Sequence, residues 1–157
     1  MDFGKMFKMQ AELDQYIGKS KKIKMEDYKL ERVLALQVEF NELLNEVPFL
    51  FKYWSNKKMN RDRALEEFVD GLHFLLSIGN DLGINEYEYT RPEREWDMRR
   101  IAQGINVMIP LINKRNYKRL FDLYLWFGEK LGFSFDDIEK KYMEKNEVNY
   151  QRQDQGY

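Results

Sequence analysis

The sequence predicts an all-α, single-domain bundle of about five or six helices. Three observations predict it. Apolar residues recur every three to four positions along most of the chain. Proline and glycine, 3 and 9 of 157 residues, are sparse. Alternating strand-like runs are almost missing. A chain of this length suffices for one domain with a real core.

A first helix is expected over about Lys5 to Ile17, with Met6, Met9, Leu13 and Ile17 on one face and Gly18 as its stop. A lysine-rich linker, Lys19 to Lys24, follows. A second helix spans about Glu26 to Leu50, where Val33, Leu36, Phe40, Leu43 and Val47 form a stripe and Pro48 bends or ends the run. The third covers about Asp62 to Leu82, with Leu65, Phe68, Leu72, Leu75, Leu76 and Gly79 inward and Gly83 closing it. After a polar connection, Pro92 suits the first turn of a fourth helix, Glu93 to Ile109. A fifth, Tyr117 to Leu131, is rich in aromatics and stops at Gly132. Ser134-Phe-Asp-Asp137 reads as a capping box for a sixth, reaching about Asn146 or beyond. Residues Glu147 to Tyr157 form a polar tail with too few apolar residues for a core of its own.

Hydrophobic residues are 43% and charged residues 34%, which excludes a disordered chain. A net charge of -1 gives no support to a nucleic-acid or membrane-surface binder. Without cysteine there is no disulfide or thiolate metal site. The start lacks the apolar core of a signal peptide, and no stretch approaches the roughly 20 apolar residues of a membrane helix. A cytoplasmic protein is expected.

Two acidic pairs carry the chemistry, Glu39-Phe-Asn-Glu42 and Glu67-Phe-Val-Asp70. On a helix, i, i+3 spacing sets both carboxylates on one face, and both pairs lie beside an apolar stripe. If they face one cavity, their repulsion and desolvation call for a hard divalent cation, Mg²⁺ or Mn²⁺. If they face water, they are helix decoration. Other groups leave similar choices. Lys145, Asn149 and Arg152 stand at i, i+4, i+7, forming either a phosphate-binding stripe or a frayed polar terminus. Trp54 either stacks on a base or covers the core. Gln10 and Asp14, at i, i+4, either read the edge of a base or decorate a surface helix.

Taken jointly, Met9-Gln10…Leu13-Asp14, Glu39-x-x-Glu42, Lys52-Tyr-Trp54-Ser, Glu67-Phe-Val-Asp70-Gly-Leu-His73-Phe74 and Lys145-Asn-Glu-Val-Asn149-Tyr-Gln-Arg152…Gly156-Tyr157 resemble the all-α, dimeric dUTPases of the MazG-like NTP pyrophosphatase superfamily. The resemblance spans nearly the whole chain. It implies that dUTP is cleaved to dUMP and pyrophosphate, and that dUDP is hydrolysed as well. Glu39, Glu42, Glu67 and Asp70 would hold two or more Mg²⁺ ions, with Glu42, beside Glu39, accepting a proton from the attacking water. Residues 145–157 would form a mobile phosphate-binding tail through Lys145, Asn149, Arg152 and Tyr157. Gln10, Asp14 and Trp54 would contact uracil, and His73 with Phe74 the deoxyribose. Asp14 departs from relatives with Asn at this position, since a carboxylate cannot donate to a uracil carbonyl. Two other readings remain: a related pyrophosphatase acting on dCTP or a non-standard nucleotide, and a non-enzymatic helical interaction module. A homodimer is expected from the resemblance and from the surplus of aromatics between Trp96 and Trp126, more than so small a bundle would bury.

Overall fold

In the computed structural model, residues 2–156 are described, and they form six α-helices and three short 3₁₀ turns with no strand among them. The helices are α1 (Phe3–Lys21), α2 (Lys29–Glu46), α3 (Arg61–Asp81), α4 (Met98–Met108), α5 (Tyr117–Lys130) and α6 (Phe135–Asp154). The central helix is α3, which packs against α1, α2, α5 and α6. Its buried positions run along almost its whole length, from Ala64 to Gly79. Among the described residues no helix is long and apolar enough to cross a membrane.

Several boundaries differ from expectation for identifiable reasons. The first helix runs three residues past Gly18 and ends where Lys22 adopts a left-handed φ of 56°. Gly18 is needed for a close approach instead, since a Cβ there would lie 3.2 Å from the Ile23 carbonyl oxygen. The second segment divides into a 3₁₀ turn (Met25–Tyr28), α2 and a second turn beginning at Pro48. Arg32 donates to the carbonyls of Met25, at 2.9 Å, and Tyr28, at 3.4 Å, and so holds the first turn. The fourth helix starts at Met98 behind an Asp97 cap, not at Glu93. The segment before it is tied to α5 by side chains: Thr90 N donates to Asp122 at 2.9 Å, Lys118 to the Glu88 carbonyl at 3.0 Å, and Lys130 pairs with Glu95 at 2.8 Å. The capping box of α6 is present, and that helix runs without a break to Asp154, so 145–154 are helical turns.

The aromatics of α5 are a correction. Tyr117, Phe121, Tyr124, Trp126 and Phe127 are fully buried within one chain, so they leave no surplus for an interface. Glycines make room for them. A Cβ on Gly71 would overlap the Tyr124 hydroxyl, and one on Gly79 that of Tyr117. The two tyrosines use this access to donate to α3 carbonyls, Tyr124 to Phe68 and Tyr117 to Leu75, each at 2.8 Å. The phenol groups are thereby satisfied inside an apolar core.

Candidate functional site

Glu39 of α2 and Glu67 and Asp70 of α3 present carboxylate oxygens within 4.8 Å of one another, all half-buried. The packing of α2 on α3 brings them together, because both pairs flank the stripes that those helices bury. Glu42 is exposed and outside this trio, although its charge still acts on Glu39 and Glu67. Glu46, on the same ridge, pairs instead with Arg63 at 3.9 Å.

The electrostatics follow from crowding. Burial, then the charges of Asp70, Glu42 and Glu67, push Glu39 up to about 7. Burial first, then Asp70, Glu42 and Glu66, raises Glu67. Burial raises Asp70 as well, against the pull of Lys145. The Lys145 ammonium lies 2.8 Å from Asp70 and 3.0 Å from Glu66. Burial alone would lower Lys145, but these two carboxylates outweigh it and hold it above its ordinary value. Lys145 therefore stands as counter-charge among the acids rather than in an open phosphate site.

Beside the acids lies a cavity of about 380 Å³. Glu39 and Asp70 line one part of it, Gln10, Asp14, His73, Phe74 and Ser77 another, and Asn149 and Arg152 of α6 border it too. Gln10 Nε2 donates to Asp14 at 2.8 Å, and Ser77 Oγ donates to the other Asp14 oxygen at 2.6 Å. His73 Nδ1 meets Gln10 Oε1 at 2.7 Å, and its ring stacks on Tyr142 with centroids 4.2 Å apart. Burial, then Lys145, lowers His73 to about 3, so it is neutral at physiological pH. Burial raises Asp14, opposed by its bonds to Ser77 and Gln10 and by the charge of Arg32.

The structure thus brings Glu39, Glu67, Asp70, Gln10, Asp14, His73, Phe74, Asn149 and Arg152 to one region, with Lys145 bound to its acids. It does not bring Trp54, which is 68% exposed and packs edge-on against Tyr53 outside the cavity. Tyr157 lies outside the described residues. Sequence reasoning missed Arg32, Ser77, Glu66 and Tyr142. Arg32 was detectable: it sits four residues before Leu36, in the register of the buried stripe, where a charge must find a partner. Ser77 shares the face of Asp70 and His73 at i+7 and i+4.

The oxygen-only donor set and the cavity beside it suit a divalent cation and a phosphate-bearing ligand. A family model described as dUTPase matches residues 2–157. No curated protein and no solved structure matches the chain.

Proposed function

The chain belongs to the dUTPase family, and from that premise we propose how its residues convert dUTP to dUMP and pyrophosphate. The observation that carries the reading is one continuous cavity. Glu39 and Asp70 open into the same space as Gln10, His73 and Phe74, and Asn149 and Arg152 border it. Such a space receives a nucleoside triphosphate with its phosphates toward the acids and its nucleoside toward His73.

Glu39, Glu67 and Asp70, with Glu42 at their edge, fit Mg²⁺, and Mn²⁺ suits the same oxygens. Burial raises all three, and neighbouring carboxylates add to it, a penalty that divalent cations relieve. We assign two or more ions to the site. When bound, Mg²⁺ supplies the positive charge that the triphosphate and the departing pyrophosphate require. Glu42, outside the converging oxygens, accepts the proton of the water that attacks the α-phosphorus. Asn149 and Arg152 hold phosphate oxygens, the guanidinium through its paired donors. Lys145 exchanges Asp70 and Glu66 for phosphate as the end of α6, with Tyr157, closes on the substrate.

Gln10 and Asp14 face the uracil end, and His73 with Phe74 the deoxyribose. For Trp54 to stack on uracil, the segment around it must fold over the cavity, or a second copy of the chain must present it. By the same chemistry dUDP yields dUMP and phosphate. A homodimer forms through the outer face of α2. Leu30, Leu34 and Val38 make an exposed apolar ridge there at four-residue spacing. It runs into a groove of about 660 Å³ against α4, lined by Asn41, Asn45 and Phe51.

The test is pyrophosphate release with Mg²⁺ across dUTP, dCTP, dTTP and UTP. Selective turnover of dUTP is expected. Equal rates for dUTP and dCTP would overturn uracil selectivity.

A further inference from the structure

Arg32 is 5% exposed, and its guanidinium pairs with Asp81 at the end of α3. Its Nη1 donates to Ser77 Oγ at 2.9 Å. With that oxygen accepting, the Ser77 hydroxyl hydrogen is turned to Asp14, at 2.6 Å. The second Asp14 oxygen takes Gln10 Nε2 at 2.8 Å. A carboxylate has no hydrogen to give, so the Gln10 amide nitrogen must face it and the amide oxygen must face away. That oxygen meets His73 Nδ1 at 2.7 Å and the Tyr142 hydroxyl at 3.2 Å. It can only accept, so the proton of the neutral imidazole sits on Nδ1. His73 Nε2 is left as a bare lone pair, buried and with no partner among the described residues, on a side chain that lines the cavity. Buried polar atoms are rarely left unpaired without a reason, and a ligand is such a reason.

We propose that Asp14, anchored by Arg32 through Ser77, is a positioning residue: it orients Gln10, locks the His73 proton on Nδ1, and so presents Nε2 as an acceptor for a hydrogen donated by the nucleoside. The inference rests on the dUTP-hydrolysing reading of the cavity and gives Asp14 a role other than direct contact with the base. On α3, His73 is three residues from Asp70, a rise of about 4.5 Å, so it lies one short step from the phosphate end. Two donors of deoxyuridine can stand there, the 3′-hydroxyl and uracil N3–H. Cytosine carries a lone pair at N3, so a locked Nε2 facing the base would also reject dCTP.

His73 is the only histidine in the chain, so ¹⁵N-histidine labelling of the full-length protein reports this one ring. In the wild type, Nδ1 is expected protonated and Nε2 bare. In Asp14→Ala the Gln10 amide is free to turn, and the single proton is expected to divide between the Nδ1–H and Nε2–H tautomers. Ser77→Ala, a milder change, is expected to move the same signals part of the way. KM for dUTP should rise about tenfold in Asp14→Ala, the loss of one good hydrogen bond, with kcat changed much less. A wild-type proton on Nε2, or an unaltered Nδ1–H pattern in both folded variants, overturns the lock. Two analogues, one lacking the 3′-hydroxyl and one methylated at N3, identify the donor: the analogue without it should show no further KM penalty in Asp14→Ala. If both analogues show the full penalty, Nε2 receives no nucleoside hydrogen and the proposal falls. If the nitrogen pattern is as expected but wild-type protein does not turn over dUTP, the functional reading fails while the lock stands.

Discussion

At Glu39, burial and three neighbouring carboxylates act in one direction, toward the protonated form. Its pKa is higher in the folded chain, about 7, than the ordinary 4.5. The native state therefore binds more protons than the unfolded state between those values, and stability falls as pH rises through them. For metal-free protein we predict a loss of about 1 kcal/mol across that window, after allowance for solvent screening of a half-exposed group. Chemical denaturation at a series of pH values measures it. Glu39→Gln should flatten the slope, and added Mg²⁺ should reverse it. Glu42 is exposed beside the cluster. Glu42→Gln is expected to keep nucleotide binding, read by calorimetry, while kcat drops by about 100-fold or more. Unchanged turnover would remove Glu42 as the base. The convergence of Glu39, Glu67 and Asp70 was legible because i, i+3 pairs beside apolar stripes point to one place, whereas Glu42, expected with them, stands exposed outside the converging oxygens. Lys145 was not: its spacing suggested phosphate, while only the packing of α6 on α3 reveals Glu66 and Asp70 as its partners.

Helices that carry their own start and stop signals are the ones whose ends the sequence states. Ser134 accepts from Asp137 N at 3.1 Å and Asp137 accepts from Ser134 N at 2.9 Å, closing the box at the start of α6. Ser134→Ala should lower stability by about 1 kcal/mol, seen as a reduced Tm, with dUTP turnover little changed. The start of α4 was misplaced because Pro92 is compatible with a first helical turn but does not compel one. What holds that segment irregular is a set of contacts to Lys118, Asp122 and Lys130, distant in sequence. The end of α1 was misplaced for a related reason. Gly18 looked like a stop, but its missing Cβ serves a close approach of Ile23, and the left-handed residue is Lys22.

Across the whole molecule, α3 is the shared wall of core and site, since one side meets the aromatics of α5 and another carries Glu67, Asp70 and His73. Gly71 joins the two. Alanine there would gain about 1 kcal/mol in helix propensity, yet its Cβ would overlap the buried Tyr124 hydroxyl. Gly71→Ala should therefore destabilise by about 1–3 kcal/mol net, measured by denaturant titration, because a packed core does not yield freely. For assembly, light scattering at micromolar concentration should give a dimer mass, and Leu34→Glu should shift it toward monomer with the fold intact by circular dichroism. A monomer mass for the wild type would refute the α2 interface. By itself the sequence determined the helical class, the inward stripes, the capping box and the acidic pairs. All of these are periodic or local, set by side-chain spacing along one helix. Only the tertiary structure decided that α5 buries its aromatics within one chain, that Lys145 pairs with Asp70 and Glu66, and that Arg32, Ser77, Asp14, Gln10 and His73 form one hydrogen-bonded chain. Those facts depend on which helix faces meet, and hydrogen-bond partners 45 or 63 residues apart leave no periodic trace in the chain.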